Sequence, residues 1–151
     1  MRALLVEDDT SQYEYVREQL SVVFPGVDIR RICTESEFRL NFETFTAPPP
    51  DIAVIDVMLR WGNADASFEL APPEIRADGG LFRAGFRCAA MLVANPRTRD
   101  LPVIIYSVLD RGDVESNIRQ LGLKHRFVRK EMYVTNLAAE IKAALGRDRG
   151  A

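Results

Sequence analysis

The stretch Asp51-Ile52-Ala53-Val54-Ile55-Asp56-Val57-Met58-Leu59-Arg60 decides the fold. Its middle is a short apolar run rich in β-branched residues. That is the pattern of a strand covered on both faces, as in the centre of a parallel sheet. Asp56 interrupts the run. A carboxylate near the end of a central strand needs water, a cation or a metal, because burying it unpaired is too costly. In open α/β sheets the ligand crevice lies outside the carboxyl ends of the strands. Asp56 is therefore the first candidate for chemistry.

Strands of the same kind flank it. Ala3-Leu4-Leu5-Val6 ends abruptly in Glu7-Asp8-Asp9, and Pro102-Val103-Ile104-Ile105-Tyr106 ends in the hydroxyl of Ser107. Val27 to Ile32 is more polar and suits a sheet edge. Arg126-Phe127-Val128-Arg129 is a short fifth strand ending at Lys130. Helical periodicity fills the gaps. Ser11 and Glu14 have capping-box spacing before Tyr13, Val16, Leu20 and Val23; Thr34 and Glu37 repeat it before Phe38, Phe42 and Phe45. Leu81 to Asn95 reads as a third helix and Val114 to Leu121 as a fourth. A fifth has Thr135 as its cap and Leu137, Ile141 and Leu145 on its inner face. Alternating strands and helices imply α/β architecture: a five-stranded parallel sheet with helices on both faces, of flavodoxin-like order 2-1-3-4-5.

The bulk properties fit one domain, residues 1–146, with a short frayed tail at 147–151. Hydrophobic residues at 47% and charged residues at 28% are ordinary for a globular chain, and the net charge of −2 makes no bulk case for nucleic acid or an anionic membrane. Cys33 and Cys88 match no metal or redox spacing and read as buried thiols of a reducing cytosol. The single histidine, His125, lies between Lys124 and Arg126, so no His-based metal cluster can be built. The chain enters its first strand too early for a signal peptide, and no apolar run approaches a membrane span. A cytoplasmic protein is expected.

In the order 2-1-3-4-5, the first, third, fourth and fifth strands are neighbours. Their ends bring Glu7, Asp8, Asp9, Asp56, Ser107 and Lys130 to one crevice. Carboxylates without His or Cys suit a hard cation, Mg²⁺ above all. An aspartate beside such a cation, faced by a lysine and a hydroxyl, is equipped to take up a phosphoryl group as an acyl phosphate. Asp9 alone serves equally well as a helix cap.

The chain resembles the response-regulator receiver domains of bacterial two-component systems, of the stand-alone type. The resemblance rests on Leu5-Val6-Glu7-Asp8-Asp9, Ile55-Asp56-Val57-Met58, Pro102-Val103-Ile104-Ile105-Tyr106-Ser107 and Phe127-Val128-Arg129-Lys130. It implies Asp56 as the phosphoacceptor and Asp8 as a direct ligand of Mg²⁺ (or Mn²⁺). Glu7 would act largely through water, and the main-chain carbonyl of Met58 would complete the metal site. Ser107 and Lys130 would hold the phosphoryl group, and Phe127 would follow Ser107 as the switching aromatic. The implied partners are a histidine kinase or histidine phosphotransfer protein, a downstream target protein, and a second copy docked through the fourth helix, fifth strand and fifth helix. Such a protein is not an enzyme beyond its own phosphotransfer and slow autodephosphorylation.

Three features depart from that pattern. Glu131 stands where the family has a cis proline, and a non-proline cis bond costs roughly 3–4 kcal/mol. Val108 follows the switching hydroxyl where a small residue is usual, which predicts narrowed access to Asp56 and slow phosphate exchange. Residues 59–80 form a long insertion after the third strand, with Trp61, Phe68, Leu70, Pro72-Pro73 and Ile75 between Arg60 and Asp78. Loops this long are usually functional or disordered, and the apolar content favours a lid or partner contact over disorder. Asp65, Glu69 and Asp78 read as solvated acids. The competing functions are a pseudo-receiver that docks without being phosphorylated, and a haloacid-dehalogenase-type phosphatase. The latter wants a second aspartate where Met58 stands. A nucleotide-binding fold lacks its Gly-rich loop.

Overall fold

The computed structural model describes residues 1–63, 70–122, 126–130 and 137–147. Five strands, β1 (Arg2–Val6), β2 (Asp28–Ile32), β3 (Ile52–Ile55), β4 (Val103–Ser107) and β5 (Arg126–Arg129), form one sheet in the order β2-β1-β3-β4-β5. Every pairing is parallel. The expected fold and strand order are both observed, with the polar β2 at an edge.

Buried strands leave their facing ambiguous in sequence, and the sheet resolves it by strict alternation. Leu4, Val6, Ala53, Ile55, Val103 and Ile105 join one core, while Ala3, Leu5, Ile52, Val54, Ile104 and Tyr106 join the other. The first core is closed by α2 (Glu35–Leu40), α3 (Phe42–Thr46), α5 (Ala84–Ala94) and α6 (Arg111–Gln120), and the second by α1 (Thr10–Val23) and α7 (Leu137–Arg147).

Four local readings are corrected or refined. The cap of α1 is Asp9, whose carboxylate accepts the Gln12 N–H at 2.8 Å; Ser11 lies within the helix. An aspartate two residues before Ser11 reaches the orphan N–H groups first. The Phe38-Phe42-Phe45 helix breaks at Asn41, whose side chain donates to the Glu37 carbonyl. The three rings still pack together, with centroids 5.0–5.7 Å apart. At α2, Thr34 Oγ1 accepts from Glu37 N–H as expected, but the Glu37 carboxylate takes the N–H of Cys33. The third expected helix starts as a 3₁₀ turn, Gly80–Arg83, before α5. The Thr135 cap, His125 and the 148–151 tail lie outside the described residues.

The described ends of the insertion are ordered. The Glu35 N–H donates to the Arg60 carbonyl and the Ser36 N–H to the Trp61 carbonyl, each at 2.9 Å. A short helix, α4 (Pro73–Ala77), buries Ile75. Arg87 on α5 then ties the region together. Its guanidinium donates to both carboxylate oxygens of buried Glu35 (2.9 and 2.6 Å), to the Asp78 carbonyl (2.9 Å) and to the Gly80 carbonyl. Phe68, Asp65 and Glu69 lie outside the described residues.

Candidate functional site

Three of the expected residues each follow a strand by one position: Glu7 after β1, Asp56 after β3 and Lys130 after β5. Val6 pairs with Ile55, so Glu7 and Asp56 leave the sheet level with each other. The Lys130 N–H donates to the Ser107 carbonyl at 2.8 Å, which anchors the lysine's backbone at the end of β4. From there its side chain reaches across two strands. Nζ lies 2.8 Å from Asp56 Oδ2 and 2.7 Å from Glu7 Oε2, with the Tyr106 ring centroid 5.4 Å away.

These groups are secluded. Glu7 is 1% exposed, Asp56 7% and Ser107 0%. Burial pushes the Glu7 carboxyl up to about 7, against the pull of Lys130. Burial also disfavours the Lys130 charge, but Asp56 and Glu7 outweigh it and hold the ammonium above its ordinary value. Ser107 Oγ is buried without a hydrogen-bond partner among the described residues. A buried hydroxyl left without a partner costs free energy.

Asp8 is half-buried and lies on the rim. Oxygens of Glu7, Asp8 and Asp56 all lie within 4.8 Å of one another. Three carboxylate oxygens with no thiolate or imidazole among them fit a hard divalent ion such as Mg²⁺ or Mn²⁺. The Met58 N–H turns toward Asp56 Oδ1 at 3.4 Å, and Met58 is half-buried. Phe127 is level with Ile105 in the β4–β5 pairing and packs partly buried against the first core. Val108 is exposed, and the Lys130–Glu131 peptide lies outside the described residues because Glu131 does.

Several supporting residues escape a reading by motif. Arg31, on edge strand β2, donates to the carbonyls of Glu7 and Asp8, each at 3.2 Å, and stacks 4.3 Å over the Tyr13 ring. It holds the acid-bearing turn in place. Arg60 Nε lies 3.2 Å from Asp8 Oδ2. Gly85 on α5 lets that helix touch β3: a Cβ there would stand 2.0 Å from the Asp56 carbonyl oxygen, and its N–H donates to Val57. A glycine inside an apolar helical pattern is a legible sign of such close approach. Nothing local marked Glu35 and Arg87 as partners across 52 residues.

Solved structures share the fold. The receiver domain of a two-component histidine kinase from Clostridium thermocellum superposes with a TM-score of 0.69 at 14% identity, covering 95% of this chain and 96% of that one. The chain has the receiver-domain fold. The phosphorylated cyanobacterial phytochrome response regulator RcpA matches this receiver fold with a TM-score of 0.63 at 16% identity, covering 98% and 91%. The Mn²⁺-bound response regulator Rcp1 matches it with a TM-score of 0.60 at 17% identity, covering 99% and 92%. No protein-family model matches the sequence, and no curated protein is significantly similar to it.

Proposed function

We propose that this receiver fold accepts a phosphoryl group from a phosphohistidine of a histidine kinase or histidine phosphotransfer protein onto Asp56. The observation that carries the reading is the Lys130 ammonium at 2.8 Å from the Asp56 carboxylate, with the lysine's backbone anchored on the Ser107 carbonyl. An Asp56 oxygen attacks phosphorus and the P–N bond to the donor imidazole breaks. The imidazole, protonated on its other ring nitrogen, leaves with the bonding pair as a neutral ring, so the products are an aspartyl phosphate and an unphosphorylated histidine side chain. Lys130 swings from the carboxylates to the incoming phosphoryl oxygens, and Ser107 donates its hydroxyl proton to one of them. Glu7, Asp8, Asp56 and the Met58 carbonyl would hold Mg²⁺ or Mn²⁺. When bound, the ion supplies positive charge that offsets the phosphoryl oxygens.

The likeness to a phosphorylated and a Mn²⁺-bound response regulator supports both halves of this reading. Turnover is limited to the protein's own phosphotransfer and a slow loss of phosphate. Signalling then passes through contact with a target protein or a second copy. Drawing Ser107 toward the phosphate, with Phe127 following, biases α6, β5 and α7, a local charge event with a bistable readout. The described helices are all too short or too polar to cross a membrane, and action in the cytoplasm is part of the proposal.

Intact-mass measurement after incubation with Mg²⁺ and a small phosphodonor, or a phosphorylated kinase, tests it. The expected result is a gain of one phosphate in the wild type and none in Asp56→Asn. No gain with any donor would leave a docking module that keeps the fold without the chemistry.

A further inference from the structure

Asp8 has a partner of its own. Glu7 and Asp56 share Lys130, whereas Asp8 Oδ2 meets Nε of Arg60 at 3.2 Å. The two cations are held in opposite ways. The Lys130 side chain is 7% exposed and enclosed by the sheet ends, while that of Arg60 is 64% exposed. The backbone of Arg60 is nevertheless fixed. Its carbonyl accepts from Glu35 N–H, the next carbonyl accepts from Ser36 N–H, and Leu59 before it is fully buried. Arg60 is therefore a guanidinium on a short tether, unable to stray from the rim yet able to swing off Asp8 into water.

Charge count gives that tether a consequence. Three carboxylates with Lys130 alone carry a formal −2, and adding Arg60 reduces it to −1. Divalent-ion affinity follows the ligand charge of the site. A dication and a guanidinium cannot share Asp8 without mutual repulsion. We propose that Arg60 is a tethered competitor for the metal-binding carboxylate. It covers Asp8 in the metal-free protein, must be displaced by the ion, and so raises the ion concentration at which the site fills. This rests on the reading of Glu7, Asp8 and Asp56 as a metal site.

The test is direct Mn²⁺ binding by calorimetry, with Mg²⁺ measured by competition, for the wild type, Arg60→Gln, Arg60→Ala, Arg60→Lys and Asp8→Asn. Both neutral variants should bind Mn²⁺ about three- to tenfold more tightly at low ionic strength, the upper range for an exposed pair plus the repulsion it imposes. Arg60→Lys should stay near the wild type, and the gain should shrink as salt rises. Added to Asp8→Asn, the Arg60→Gln change should bring a much smaller gain. Equal or weaker binding in the neutral variants, with Asp8→Asn still impaired, overturns the competitor role alone. Failure of both the wild type and the neutral variants to bind Mn²⁺ overturns the metal site and the competitor together. Thermal melts of each variant confirm that the fold is intact.

Discussion

Glu7 lies one residue past β1 with a carboxyl that burial pushes up to about 7, from an ordinary value of 4.5. The folded protein therefore holds that proton at pH values where the unfolded chain has released it. For this group, stability is greatest below about 4.5 and falls as pH rises toward about 7, where the folded carboxyl also ionises. We expect the melting temperature of the metal-free wild type to carry this downward slope between those limits. Glu7→Gln should flatten it, which melts across the range will check; an unchanged slope would assign it to other groups. Lys130 is the complementary case, since it neutralises two buried carboxylates at once. Lys130→Ala should cost about 3–5 kcal/mol near neutral pH, because breaking a buried pair strands its partners. Urea unfolding should show that loss becoming smaller in acid, where Glu7 takes up its own proton.

At the scale of elements, the position of Asp56 depends on how α5 seats against β3. Gly85 permits the seat. In Gly85→Ala the new methyl would overlap the Asp56 carbonyl, so α5 or the strand end must move. Overpacking of this kind costs typically about 1–3 kcal/mol. Because the displaced backbone carries Asp56, Mn²⁺ binding should weaken alongside stability, and loss of stability with unchanged binding would separate the two. Arg87 is the second such tie, joining α2, α5 and the end of the insertion through Glu35, Asp78 and Gly80. Arg87→Ala leaves Glu35 with Arg39 alone, and denaturant unfolding should show a loss of about 3 kcal/mol. The insertion is then not a slack excursion in its described parts: Trp61 is bonded to α2, Asp78 is bonded to α5, and Ile75 is buried.

For the whole molecule, metal binding should act as a stability lever. A ligand that binds the folded state contributes about 2.7 kcal/mol at one hundred times its Kd. Mn²⁺ should raise the melting temperature of the wild type in a concentration-dependent way and leave Asp8→Asn nearly unmoved, which a thermal-shift titration reads directly. The gain has a geometric cause. Like charges from the ends of β1 and β3 are brought together only when the two strands are in register, so an ion that relieves their repulsion favours the assembled sheet over the unfolded chain.

Much of this arrangement was legible in the amino-acid order because it is periodic and local. Apolar runs such as 52–55 and 103–106 can be satisfied only as covered strands, and the alternation with helical stretches requires parallel crossovers, which fixes the sheet order within narrow limits. Acids, a hydroxyl and a lysine falling at strand ends therefore had to converge. Even single caps were partly readable, as at Thr34. Other features depend on pairs with no local signature. Arg31 on the Glu7 and Asp8 carbonyls, Arg60 on Asp8, and Arg87 on Glu35 are long side chains whose targets lie 23 to 52 residues away in the chain. Arginine in a sequence looks alike whether it faces water or an acid. What the sequence determined by itself was the fold and which side chains stand at the strand ends. Which cation guards each carboxylate was decided only by the tertiary structure, because a charge finds its partner by distance through space and not by spacing along the chain.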